Sequence, residues 1–271
     1  MARLRIPSIL RPDFTWPRRM QPEIQKITPP VPAVPHKYTR ILWGIVHKLL
    51  YYFSQWYCNW FGLFFDPNII QLPFGLVMKW TDRTSVEEVI SMQMARAAGM
   101  PVPKVLCCGE HLDAPSNRRF SILMTRLPGL TLENPINSAD VLQPEDDEDP
   151  WLEELRTCVT SMRFWRSPWA HSVCSPLGTK IRSSRVPDHV MGPFSSLQGF
   201  YRYLLAPASA HAFKSKADYE ETLSRAKKLQ KDHHRIVFTH VASWMGGKEY
   251  LDELDCDRAL NNLTVDSYIC F

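Results

Sequence analysis

Proline constrains this chain more than any other residue. There are 22 prolines against 11 glycines in 271 residues. Each proline fixes φ and removes a backbone donor, so much of the chain must be loop or extended coil. Pro7, Pro12, Pro17, Pro22, Pro29, Pro30, Pro32 and Pro35 crowd the start, and residues 1–40 read as a proline-rich disordered tail. The few glycines argue against a phosphate-binding loop built from several of them. Hydrophobic residues at 45% and charged residues at 22% are ordinary globular values. A net charge of +4 spread over this length is no footprint for nucleic acid.

The first stretch that proline leaves alone is 41–62. Ile41, Ile45, Leu49, Tyr52 and Trp56 fall there at helical spacing, which predicts an aromatic amphipathic helix with one broad apolar face. His47, Lys48, Gln55 and Asn59 interrupt the segment as a membrane span. A core or docking helix is the first reading, ahead of one lying on a membrane surface. Seven cysteines, an odd number without C-x-x-C spacing, argue against a zinc site or a disulfide framework. They read as reduced thiols in a cytoplasmic setting. The arginines near the start faintly suggest a transit peptide, but the prolines would break its helix.

Beyond Asn68 the texture changes. Ile69-Ile70-Gln71-Leu72 and Gly75-Leu76-Val77-Met78-Lys79-Trp80 read as a hairpin-like pair of strands joined at Pro73. Thr84-Ser85 can cap a helix running to about Ala98, with Glu87 and Glu88 in its first turn, where the dipole favours acids. Gly99 stops it, and Pro101-Val102-Pro103 forces an extended exit. Val105–Cys108 and Phe120–Met124 predict two more strands, and Pro128-Gly129 a turn. The acidic run 145–149 reads as a solvated loop. Helical patterns follow at 151–162, 197–205 and 218–232, and Ile236 begins a strand.

Lys79 ends an apolar strand. Lysine is rarely buried alone, so it needs an anion, and Glu88, nine residues on, lies within one strand-to-helix step. Held by that carboxylate, an ammonium can be directed at the α and β phosphates of a nucleotide. Taken by itself, Lys79 reads first as a side chain snorkelling past the strand's end.

The order of the pieces adds information: strand lysine, helix glutamate, P-V-P exit, a strand ending in Ile122-Leu123-Met124, then Pro128-Gly129. In this order, and in the segments 72–80, 87–110, 121–133, 174–196 and 233–240, the chain resembles the aminoglycoside phosphotransferase and choline kinase-like family, its fungal members especially. The resemblance implies an α+β, protein kinase-like fold with a small β-rich lobe and a helical large lobe over 63–271. It implies ATP and Mg²⁺ as cofactors and phosphoryl transfer to a small-molecule hydroxyl. Lys79 and Glu88 would direct the phosphates, and the stretch containing Met124, Thr125 and Leu127 would be the hinge that bonds the adenine edge. His240 would open the catalytic loop, normally H-G-D-x-x-x-x-N.

The sequence departs from that pattern after His240, where Val241-Ala242 stands in place of Gly-Asp. Cys256-Asp257-Arg258-Ala259-Leu260-Asn261-Asn262 resembles the loop resumed, with Asp257 as its catalytic base and Asn262 as its metal ligand. On that reading 241–255 is an insertion, either a retained intron or a real loop; the other reading is an unrelated acidic helix and a polar tail. The family's second metal-binding aspartate is not found after Asn262, so the large lobe is expected to be incomplete and the chain to be a weak or inactive phosphotransferase. The alternative is a non-catalytic pseudoenzyme that binds a nucleotide or a partner.

Overall fold

A computed structural model describes residues 6–18, 23–82, 84–114, 118–129, 150–182, 190–206, 213–228, 236–239 and 243–246. The fold is α+β, with a small antiparallel sheet and several helices. The chain divides into two compact units, one holding 1–25 and 29–158, the other 26–28 and 159–271.

The first unit is built on four strands: β1 (Ile69–Leu72), β2 (Leu76–Lys79), β3 (Val105–Glu110) and β4 (Phe120–Thr125). They pair antiparallel throughout in the order β1-β2-β4-β3. The expected hairpin is present, with Ile70 opposite Met78 and Leu72 opposite Leu76. Its three-residue turn holds Phe74 and Gly75 at φ of 63° and 59°, a conformation that costs a non-glycine residue such as Phe74 about 1–2 kcal/mol.

Register divides the side chains between two faces. Ile70, Leu72, Met78 and Leu123 form a buried cluster on one face. Lys79 opposite Ile122, and Val77 opposite Met124, lie on the other. Helix α2 (Val86–Ala97) follows β2, its N-cap Ser85 accepting from the Glu88 N–H. A left-handed Gly99, at φ 90°, follows its last turn.

Helix α1 (Lys37–Phe61) packs on the cluster face and ends at a left-handed Gly62. Its orientation differs from the one the apolar spacing predicts. It buries Gly44, His47, Ser54, Tyr57 and Cys58, while Ile45, Leu49, Tyr52 and Trp56 remain exposed. The reason is close approach. A Cβ on Gly44 would run into the Glu110 carbonyl, and one on Gly109 would lie 2.7 Å from His47 Nδ1. Small and polar residues therefore face the sheet. No described helix is long and apolar enough to cross a membrane.

The described part of the tail is also ordered, in contrast to the disorder its composition suggests. The Phe74 N–H donates to the Ile9 carbonyl at 2.7 Å, and Trp16 Nε1 donates to the Phe74 carbonyl at 2.9 Å. The Trp16 N–H donates to the Arg126 carbonyl at 2.9 Å, Tyr57 Oη to the Leu10 carbonyl at 2.8 Å, and the Gln25 N–H to the Ala98 carbonyl at 3.0 Å. Prolines suit this strap, because an extended chain bonded through scattered groups needs few of its own donors.

The second unit begins within helix α3 (Pro150–Phe164) and continues through β5 (Ile181–Arg182), β6 (Val190–Met191), α4 (Leu197–Leu205), α5 (Lys216–Lys228), β7 (Ile236–Thr239) and β8 (Ser243–Gly246). Val173, Ile181, Met191, Phe200, Tyr201 and Ala226 form its core. The fully buried Trp165 meets the Phe238 ring at 5.2 Å. Strand β8, which falls inside the suspected insert, pairs with β7.

Candidate functional site

Lys79 and Glu88 are brought together as the sequence predicts. Lys79 is the last residue of β2, and strand alternation turns it away from the cluster that α1 covers. Glu88 stands in the first turn of α2, where the Ser85 cap fixes its backbone. Lys79 Nζ donates to Glu88 Oε1 at 2.6 Å. The two side chains are 25% and 26% exposed, so the pair is neither sealed in the core nor freely solvated. It presents a fixed positive group on a partly open face beside Ile122 and Met124.

The three residues that the resemblance assigns to a hinge stand in different settings. Met124 is held within β4, opposite Val77 on one side and Val105 on the other. Thr125 spends its N–H on the Lys104 carbonyl at 3.0 Å and its hydroxyl on the Lys104 N–H at 2.9 Å, which ties β4 to the chain entering β3. The next residue, Arg126, donates its N–H to the Gly75 carbonyl and accepts from Trp16 with its own. Leu127 lies two residues beyond the end of β4. His240, Asp257 and Asn262 lie outside the described residues. Among the described residues no three acids, histidines or cysteines stand together as metal ligands.

On the opposite face a buried polar chain joins helix to sheet. His47 Nδ1 meets Ser121 Oγ at 2.6 Å, and His111 Nε2 meets the same oxygen at 2.8 Å. His47 Nε2 lies 3.3 Å from Cys107 Sγ, and the His111 ring stacks on Trp80 at 4.1 Å. Burial, then the proximity of His111, pushes His47 down to about 4. Burial, then Lys48, does the same to His111. Both rings are neutral at pH 7. This group left no signal in the sequence, because its members are up to 74 residues apart.

Glu110 is a second buried group. It accepts from Arg40 Nε at 3.0 Å and from Arg119 Nη2 at 2.6 Å. Burial alone would raise its carboxyl; the two guanidiniums outweigh that and hold it below the usual range. Burial also pushes the Cys107 and Cys108 thiols up to about 12, so neither is a nucleophile at neutral pH. Cys58, Cys107, Cys108, Cys158 and Cys174 are all free.

Compared with known proteins, the chain matches no family model, no curated protein and no solved structure.

Proposed function

We propose that the chain binds a nucleoside triphosphate through the Lys79 face, as an ATP-dependent phosphotransferase-type protein with a kinase-like small lobe. The observation that carries this reading is the 2.6 Å pair between strand Lys79 and helix Glu88. A strand lysine held by a helix glutamate is the arrangement by which kinases direct an ammonium at the α and β phosphates. Glu88 holds the ammonium in place, and the partial exposure of the pair leaves room for a phosphate oxygen to share it. The adenine edge would fall to the backbone of Leu127, since Met124 lies between two paired strands and Thr125 is engaged with Lys104.

The transfer step on this reading moves the γ-phosphoryl group to a small-molecule hydroxyl, with Asp257 taking the hydroxyl proton and His240 opening the loop. Magnesium would arrive with the nucleotide and be held by Asn262. A second reading, binding of a nucleotide or a partner without turnover, is favoured by Val241-Ala242 standing where the resemblance wants Gly-Asp.

Thermal denaturation with and without magnesium–ATP tests the proposal. The wild type should melt several degrees higher with millimolar nucleotide, since a ligand bound only by the folded state stabilises by mass action. Lys79→Ala should lose most of that rise. An equal rise in both proteins, or none in the wild type, would remove Lys79 from nucleotide binding.

A further inference from the structure

Helix α1 turns its apolar stripe away from the sheet. Tyr38, Leu42, Ile45, Leu49, Tyr52 and Trp56 are each 57–76% exposed. They are spaced 4, 3, 4, 3 and 4 residues apart. That is an a/d seam with the 3.5-residue period of helices packed against helices. The helix cannot roll to hide it, because Gly44 abuts Glu110 and His47 is bonded to Ser121 beneath.

The amount of exposed surface identifies what covers it. With roughly 100 Å² showing on each, the six residues and the flanking Phe53 and Trp60 offer about 800 Å². A stable interface buries about 800 Å² per partner, and a monomer rarely exposes apolar patches of more than about 600 Å². Charge weighs against a lipid surface. The helix contains no acid, and of its three cations Arg40 and Lys48 are engaged by Glu110 and Asp113, which leaves Lys37 at one end as the single charge to draw it to anionic headgroups. Between Leu42 and Trp60 the exposed residues include no charge, and only Gln55 and Asn59 are neither aliphatic nor aromatic.

We infer that α1 is the interface between two copies of this chain, its Tyr38–Trp56 seam packed antiparallel on the same seam of a second copy about a two-fold axis near Leu49. The pairing is self-complementary, as two-fold symmetry requires. It sets Leu42 of one copy opposite Trp56 of the other, and brings Lys37 toward the partner helix's C-terminus, where a cation is favoured.

Sedimentation velocity on the full chain tests the inference. The wild type should run as a dimer at micromolar concentration. Leu49→Glu, which alters an exposed position, should run as a monomer with an unchanged far-UV spectrum. A monomeric wild type, or a variant that stays dimeric, would overturn it. Mixing Leu42→Cys and Trp56→Cys chains under oxidation should give the 42–56 cross-link; a 42–42 link from the first variant alone would overturn the antiparallel arrangement. Pelleting of a monomeric wild type with phosphatidylcholine–phosphatidylserine vesicles would assign the seam to lipid and likewise overturn the inference.

Discussion

Gly44 of α1 rests against Glu110 of β3 with no room for a methyl group: a Cβ there would collide with the Glu110 carbonyl oxygen and lie 2.9 Å from its carbon. In an ordinary helix interior, Gly→Ala stabilises by about 1 kcal/mol. Here the sign reverses. Gly44→Ala should cost about 1–3 kcal/mol, the penalty of overpacking, and should lower both the melting temperature and the urea midpoint. A rise in either would show that helix and strand do not approach this closely.

The buried histidines predict a pH dependence of stability. His47 and His111 titrate near 4 in the folded chain, against an ordinary 6.5. The unfolded chain therefore binds more protons between those values, and stability falls as pH drops from 6.5 toward 4. The contribution of the pair is complete above about 6.5 and amounts to a few kcal/mol over the window. Glu110, held low, loses its contribution only below the usual carboxylate range, so the slope between pH 6.5 and 5 reports the histidines. Urea midpoints across that interval should fall steadily in the wild type and less in His47→Gln. Equal slopes in the two proteins would contradict the assignment.

Trp16 predicts protection in a segment whose composition suggests none. Its amide is bonded to Arg126 and its indole to Phe74. Hydrogen exchange at the Trp16 amide should be slowed well below the rate of a free peptide, and Trp16→Ala should speed cleavage within 6–18 by added protease. Exchange at the free-peptide rate would show that the strap is undocked.

The β1–β2 hairpin and α2 were legible in the sequence because their signals are local. A proline–glycine turn separates two short apolar runs, and a serine three residues before Glu88 supplies the cap. The Lys79–Glu88 pair was legible for the same reason, being one strand-to-helix step long. The seating of α1 was not. Periodicity picks out Ile45, Leu49, Tyr52 and Trp56 as an apolar face, but which face turns inward was decided by β3, more than 40 residues away, through Gly44 and Gly109. The His47–Ser121–His111 chain depends on the same long-range packing. The docking of Ile9, Leu10 and Trp16 has no signature in the sequence, because proline content is shared by disordered chain and by a docked extended strap; the difference lies in single hydrogen bonds from Phe74, Trp16 and Tyr57.

Calorimetric titration of magnesium–ATP into the wild type, Lys79→Met and Glu88→Gln tests the central claim most directly. The account predicts saturable binding by the wild type, with affinity reduced at least about tenfold in Lys79→Met, as expected for loss of a charged hydrogen bond worth about 1.5–3 kcal/mol. A smaller loss should appear in Glu88→Gln, which keeps an acceptor but removes the charge. Wild-type affinity in both variants, or no binding by the wild type, would contradict it.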